Sequence, residues 1–258
     1  MGTHRDSKMK NKILGLFLLL ALPMQGLCSE LPEGGNAAPL DDDFPLFDEA
    51  DIITVYDPLE PINRGIFWFN DKVYFLALKP VARGWRYAPE PLRISIKNFF
   101  QNLQSPVRII NAGLQGKFSS AGTELTRFFT NTTLGIGGLF DPAKEHFNQQ
   151  PQNEDTGQTL GYYGVGHGPY LVLPFLGPSS LRDGIGRVGD TYLDLTWYLW
   201  GADKNEHNYD YVGARLADTI NNVALDKDTY EGVKRDALDP YLFMRDAYAQ
   251  YRRNLTRK

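Results

Sequence analysis

Between residues 92 and 114 the side chains Leu92, Ile96, Phe99, Phe100, Leu103, Val107, Ile110 and Leu114 step by 4, 3, 1, 3, 4, 3 and 4. Steps of three and four keep side chains on one side of an α-helix and scatter them across both faces of a strand. A second stripe, Leu181, Ile185, Val188, Tyr192, Leu195 and Leu199, steps by 4, 3, 4, 3 and 4. Pro106 interrupts the first stripe and must kink or break its helix. Ser180 and Asp183 form a capping pair in front of the second. Asp239-Pro240 supplies an N-cap and first turn to a further helix, whose apolar face is Tyr241, Met244, Tyr248 and Tyr251. Only Tyr170 to Phe175 reads as extended, and Pro174 limits it to a short or edge segment. Strands do not alternate with helices, so a doubly wound sheet is excluded. The body from Asp57 onward is expected to be one all-α domain of short, broken amphipathic helices, without a fixed-period repeat.

A stripe at helical spacing serves a protein core more often than a membrane surface, and two features here bring the two readings level. The 258 residues include 25 glycines and 16 prolines, which keep the helices short. The segment Ile62 to Leu78 carries Phe67, Trp68, Phe69, Tyr74 and Phe75 around much of its circumference, with Arg64 and Lys72 between them. Phe, Trp and Tyr beside Lys and Arg are the composition of an interfacial helix, so these five aromatics are candidate membrane-interfacial residues. A mean hydropathy of −0.36 excludes a bundle of membrane-spanning helices but not a protein lying in a membrane surface.

The N-terminal region has its own logic. Ile13 to Leu22 is apolar throughout, apart from Gly15, and follows Lys8, Lys10 and Lys12. A basic segment before an apolar run too short to span a bilayer reads as a secretory signal peptide, assigned here to residues 1–28. Cys28 sits where a lipoprotein signal places its acylated cysteine, but Leu27 and Gln25 depart from that signal. Ordinary cleavage after Cys28, with Gly26 and Cys28 as the small pair, is the alternative. Residues 29–56 hold eight acids, no base and several Gly and Pro, which makes them an acidic, flexible tether. The apolar stretch Ile52 to Val55 is expected to dock onto the body. The whole chain has a formal charge of −4, but residues 57–258 hold 23 bases against 22 acids. A nearly neutral body has no electrostatic footprint for nucleic acid.

Catalytic and cofactor motifs fail in this chain. Gly184-Ile185-Gly186-Arg187-Val188-Gly189 matches G-x-G-x-x-G literally, but it lies within a helical stripe with no strand before it, and Asp183 and Asp190 would repel a pyrophosphate. Close helix packing is the better reading. His4, His146, His167 and His207 show no metal-binding spacing, and the single cysteine excludes both a disulfide framework and a Cys-based zinc site. Neither H-E-x-x-H nor G-x-S-x-G occurs. No catalytic residue, metal or cofactor is assigned. The segment Leu160 to Arg182 differs from the rest: Gly161, Gly164, Gly166 and Gly168 stand among Tyr162, Tyr163, Pro169 and Tyr170, giving backbone freedom beside apolar surface. It is either a structural hairpin tying two helices together or a flexible apolar hairpin lining a path for an apolar ligand.

Three blocks of residues then carry a resemblance. They are Asp57-Pro58-Leu59-Glu60 with Asn63-Arg64; Arg127 to Thr132 running into Gly135 and Gly137 to Asp141; and Gly157 to Gly166 with Gly168-Pro169-Tyr170, Leu173-Pro174-Phe175 and Arg182-Asp183. Asp239-Pro240-Tyr241, Arg245 and Tyr248 also fit. On these the chain resembles the VacJ/MlaA family of outer-membrane phospholipid-transport proteins over about residues 57–251. The resemblance implies an all-helical ring with a central amphipathic channel, lying in the inner leaflet of a Gram-negative outer membrane and facing the periplasm. It implies a porin trimer as neighbour and a soluble periplasmic carrier as recipient of mislocalised phospholipid, which keeps the outer membrane asymmetric. The hairpin Gly164 to Tyr170 would be the mobile channel element, and Phe67, Trp68 and Phe69 would belong to the membrane-contacting ring. The poor attachment signal at Cys28 is the departure from the family. Two other classes of function are a structural envelope protein that organises porins or the cell surface without moving lipid, and a secreted lipid-cleaving enzyme, which no nucleophile motif favours.

Overall fold

The computed structural model describes residues 54–201, 209–226 and 228–256. The signal peptide and nearly all of the acidic tether therefore lie outside the described residues. Helix α1, Glu60–Val73, runs into a π-helical turn, Tyr74–Leu78, and on into α2, Lys79–Trp85. The widened turn lies immediately before Lys79-Pro80, where proline has no N–H to give the ladder, and a π-turn absorbs that mismatch without ending the helix. The first sequence stripe divides as expected at Gln104: α3 is Glu90–Leu103 and α4 is Ser105–Leu114, with Pro106 in the first turn of α4. Then follow α5, Phe118–Thr133; α6, Pro142–Glu145; and α7, Thr156–Tyr162.

A two-stranded antiparallel hairpin follows, β1 Tyr170–Leu173 with β2 Gly177–Ser180, registered Tyr170 to Ser180 and Leu173 to Gly177. The chain ends in α8, Leu181–Leu193; α9, Leu195–Trp200; α10, Tyr209–Leu225; α11, Thr229–Asp236; and α12, Pro240–Thr256. Ser180 caps α8 by accepting from the Asp183 N–H, and Asp239 accepts from the N–H groups of Tyr241 and Leu242 at the start of α12, as both sequences predict. Among the described residues no helix is long and apolar enough to cross a membrane.

The packing partners form a closed circuit. Helix α1 lies against β1, β1 pairs with β2, and β2 touches α8 and α12. From α8 the contacts pass to α9, then α10, then α2, which is continuous with α1 through the π-turn. Helices α3, α4, α5 and α7 fill one side of this circuit, α4 against α5 and α7 against α8.

The interior is polar. The largest fully buried side chains are Gln158, Glu124, Asn63, Asn111, Asn221, Thr196, Asp218, Ser105 and Ser179. Apolar burial centres on a small cluster of Tyr170, Val172, Tyr241 and Tyr248, with Val55, Ile66, Phe67 and Leu242 packed against it. Val55 thus docks onto the body as the apolar end of the tether predicts, while Ile52 lies outside the described residues.

Candidate functional site

Helices α1, α5, α8 and α10 bury mostly polar side chains, which inverts the usual arrangement of an amphipathic helix in a water-soluble protein. Helix α5 turns Glu124, Arg127 and Asn131 inward, one and two turns apart. Arg108 Nε meets Glu124 Oε2 at 2.7 Å, and the backbone N–H of Gln152 donates to Glu124 Oε1 at 2.7 Å. Helix α8 buries Arg182, Asp183 and Gly186, and its apolar stripe points away from the protein. Leu181, Ile185, Val188 and Tyr192 are exposed by 47, 59, 48 and 54%. Sequence periodicity places these four on one face; the structure shows that the face has no protein against it. In the first stripe Phe100, Leu103 and Val107 are buried, but Leu92, Ile110 and Leu114 are exposed. One continuous apolar stripe was expected there, for a core or a membrane surface; the structure buries its middle, Phe100 to Val107, and exposes Leu92 at one end and Ile110 and Leu114 at the other.

Three polar networks hold this inverted fold together. The first ties α1 to the hairpin. Asn63 donates to the Tyr170 carbonyl at 3.0 Å and accepts from the Val172 N–H at 2.9 Å. Asn70 donates to the Leu173 carbonyl at 2.9 Å and accepts from the Phe175 N–H at 2.7 Å. Asn63 therefore binds the free edge of β1 as a neighbouring strand would, which answers the edge-strand problem of a two-stranded sheet, and Asn70, seven residues on, holds the turn that follows the strand. The second network is buried between α7, α8 and α12. Arg252 Nη2 lies 2.9 Å from both Asp155 Oδ1 and Asp183 Oδ1, and Arg182 Nε lies 2.9 Å from Asp183 Oδ1. Burial alone would raise the Asp183 carboxyl; Arg252, the Tyr248 hydroxyl and Arg182 outweigh it and hold the group down at about 2. The third joins Arg127 Nη2 to Asp141 Oδ2 at 2.9 Å and Asn131 Nδ2 to Asp141 Oδ1 at 2.8 Å.

The glycine-rich segment sits at one end of the second network. Gly161 lies directly on Arg182, since a Cβ there would stand 2.6 Å from Nη1. Gly164 and Gly168 adopt φ of 86° and 66°, a region closed to most side chains. Gly166 has open space around it, Pro169 is half-buried, and Tyr162, Tyr163 and Val165 are exposed. Contacts at both ends fasten the loop: the Tyr163 hydroxyl donates to the Leu114 carbonyl at 2.6 Å, Leu181 N–H to Pro169 O at 3.1 Å, and Arg182 through its N–H to His167 O at 3.2 Å and through Nη1 to Val165 O at 3.4 Å. The loop thus joins the exposed end of α4, with Ile110 and Leu114, to the exposed start of α8. Tyr170, grouped with this loop from sequence, is 3% exposed and anchors its foot in the apolar cluster.

The five aromatics of the first helix divide. Trp68 and Phe69 are exposed by 62 and 39%, and Lys72 Nζ lies 5.8 Å from the Trp68 ring. Phe67 is half-buried, its ring edge-on to Tyr241 at 5.8 Å, and Phe75 is half-buried against Tyr230. Tyr74 corrects the sequence expectation of an interfacial residue. It is 4% exposed, with its ring 4.8 Å from Tyr230 and its hydroxyl donating to Glu231 Oε2 at 3.0 Å. A phenol is buried readily where its hydroxyl finds a partner. Cys28, the uncertain acylation site, lies outside the described residues.

The G-x-G-x-x-G segment is a packing device. A Cβ on Gly186 would stand 2.5 Å from the Gly157 nitrogen, and one on Gly189 would stand 3.2 Å from Thr156 Cγ2. Helices α7 and α8 cross at these glycines. Among the described residues no group of three or more His, Cys, Asp and Glu could hold a metal ion.

Asn63, Arg127, Asn131, Asp141, Arg182 and Asp183 of these networks belong to the three sequence blocks. The profile of the family described as MlaA lipoprotein matches residues 55–255. This chain belongs to the MlaA lipoprotein family. The Escherichia coli (strain K12) protein named intermembrane phospholipid transport system lipoprotein MlaA is 38% identical over 199 residues, 75% of this chain and 76% of that protein. The Haemophilus influenzae protein of the same name is 34% identical over 200 residues, 75% of this chain and 76% of its own. A solved structure from a study of the structural basis for maintenance of bacterial outer membrane lipid asymmetry superposes with a TM-score of 0.68 at 37% identity, covering 78% of this chain and 98% of that one. This MlaA-family chain thus has the helical fold of its solved relative, with the same small share of strand.

Proposed function

We propose that this chain is the outer-membrane component of an intermembrane phospholipid transport system. It seats in the inner leaflet of a Gram-negative outer membrane, draws mislocalised phospholipid from the outer leaflet through an amphipathic channel and passes it to a soluble periplasmic carrier, beside a porin trimer. The single observation that carries this reading is the inversion of the fold. Glu124, Gln158, Asn63 and Asn111 are inside, while Leu181, Ile185, Val188, Tyr192, Trp68 and Leu76 face outward. In water such a surface costs roughly 25 cal/mol for each Å² of apolar area left exposed. In a leaflet the same faces are solvated by acyl chains, and the hydrogen-bonded networks supply the rigidity that apolar packing gives an ordinary protein. The closed circuit of packed elements supports a ring, and the names of the relatives support the lipid cargo.

Such a protein breaks no bond and needs no catalytic group. Acyl chains require an apolar wall, and headgroups require polar, wet surroundings. Exposed Ile110 and Leu114 on α4 and Tyr163 and Val165 on the glycine-rich loop supply such a wall. Gly164 and Gly166 let the hairpin move, while Asn63 and Asn70 keep β1 fixed at its foot. Mass spectrometry of the chain extracted in mild detergent tests the cargo: phospholipid should accompany it in defined stoichiometry. Protein free of lipid would refute the reading, and lysolipid or free fatty acid appearing with time would reassign it to lipid cleavage.

A further inference from the structure

From the end of α5 into α6, residues 128–143 contain one charged side chain, Asp141, and it is turned inward to Arg127 and Asn131. What the loop after α5 shows outward is Leu134, Ile136, Leu139 and Phe140, exposed by 67, 66, 37 and 52%. Phe129 and Phe147 are exposed on either side of it. Ile136 has φ of 53°, where a β-branched residue is a true outlier that persists only when its surroundings impose it. The surroundings do so here. Gly137 and Gly138 follow at φ of 70° and 94°, and a Cβ on Gly138 would stand 2.5 Å from Asn102 Cβ.

Six of the seven backbone N–H groups from Leu134 to Phe140 donate within the loop or back to the end of α5. The N–H groups of Leu134 and Gly135 donate to Thr130 O, those of Gly137 and Gly138 to Thr132 O and Asn131 O, Leu139 to Ile136 O and Phe140 to Gly135 O. A loop shaped for a protein partner would hold out some of these groups or a charge for recognition. A loop entering hydrocarbon must satisfy them internally, because nothing there will. The geometry points to residues 134–140 as a preformed wedge that enters the acyl-chain layer of a phospholipid leaflet, led by Leu134 and Ile136. This deepens, and rests on, the membrane-seated reading above.

The test uses the full chain carrying Cys28→Ser, which removes its single native cysteine, and an environment-sensitive fluorophore on Ile136→Cys or, separately, on Trp68→Cys. Vesicles of phosphatidylethanolamine and phosphatidylglycerol, with a nitroxide on the acyl chain as quencher, report depth. Quenching and a blue shift at both positions are expected. Quenching at 68 alone overturns the wedge and leaves the seating intact, and quenching at neither overturns both. Shielding of the probe at 136 only when outer-membrane protein is added, and never by lipid alone, overturns the wedge in favour of a protein partner. Ile136→Gly keeps the test independent of folding. It relieves the backbone outlier, so the melting temperature should hold or rise while the vesicle partition coefficient falls about fivefold or more, the scale of withdrawing one large apolar side chain from hydrocarbon. Unchanged partition in that stable variant also overturns the proposal.

Discussion

Replacing Asn63 by Leu tests whether side-chain amides serve as the missing strand beside β1. Asn63 is 1% exposed and makes three hydrogen bonds: to Asp57 Oδ1 at 2.8 Å, to the Tyr170 carbonyl at 3.0 Å and from the Val172 N–H at 2.9 Å. Leucine has the same branched four-heavy-atom skeleton, so the main cost is the lost hydrogen bonds, with overpacking by its larger methyl groups adding to it. Asp57 keeps the Tyr241 hydroxyl as a donor. The Tyr170 carbonyl and Val172 N–H lose their partner on the α1 side, and both residues are almost fully buried, 3 and 2% exposed. Each orphaned backbone group costs about 1–3 kcal/mol, so Asn63→Leu should destabilise the fold by about 2–6 kcal/mol. For a domain of about 200 residues that corresponds to a fall of roughly 4–24 °C in melting temperature. Thermal unfolding followed by circular dichroism in non-ionic detergent reads it directly. Asn63→Asp keeps the acceptor, loses both donated bonds and sets a carboxylate against Asp57, so it should destabilise as well. If Asn63→Leu melts within about 2 °C of the parent, the Asn63 clamp contributes little and the hairpin is held by Asn70 and its apolar cluster.

Other outcomes follow from the same coordinates. Gly186→Ala would place a Cβ 2.5 Å from the Gly157 nitrogen and force α7 off α8, a loss of about 1–3 kcal/mol or more in chemical denaturation. Gly184→Ala, whose Cβ would meet only Ser179 Oγ at 3.8 Å, should be neutral or stabilising by up to about 1 kcal/mol. Burial first and the Asp155 charge second push the Asp190 carboxyl from 3.8 up to about 7. The folded form then keeps a proton that the unfolded chain has lost, so this group's contribution is greatest below about pH 4, falls as the pH rises to about 7 and is flat above. Asp190→Asn should flatten that slope and raise stability at about pH 8, read from denaturant midpoints across the pH range. Ile185→Asp with Val188→Asp changes side chains exposed by 59 and 48%. Stability in detergent should shift by no more than about 1 kcal/mol, the usual scale for two surface changes, while flotation with vesicles weakens sharply; marked unfolding would instead show that α8 packs this face against protein.

The helix boundaries were legible because they are local. Pro106, Ser180 with Asp183, and Asp239 with Pro240 fix their own φ or satisfy their own N–H groups, and neighbours in sequence suffice to see it. Strand β1 was visible as a run of apolar residues; β2, Gly-Pro-Ser-Ser, has no strand signal and exists because β1 and the asparagines of α1 leave it one place to pair. Periodicity showed that Leu181, Ile185, Val188 and Tyr192 share a face, but it is blind to what lies opposite that face. The inversion could be read only once Arg182 and Asp183 were seen buried against Arg252. Tyr74 was misplaced for a related reason, since its burial depends on Tyr230 and Glu231, more than 150 residues away. The sequence blocks were recognised as blocks, yet the work done by Asn63, Arg127, Asp141 and Gly157 was visible only as hydrogen bonds and close approaches between distant segments. The strained Ile136 left a trace in the Gly-Ile-Gly-Gly run, which read only as part of the second block.

The claim at the centre of this account is that the outward apolar faces serve the movement of phospholipid. Cell-surface phospholipid, measured by outer-leaflet labelling in the organism's own envelope, tests it most directly. Cells lacking the gene should accumulate phospholipid in the outer leaflet and become sensitive to detergent with EDTA. The parent gene should reverse both effects, and the stable double variant Ile185→Asp with Val188→Asp should reverse neither. An outer leaflet of unchanged composition in the deletion strain, or full rescue by the double variant, would contradict the account.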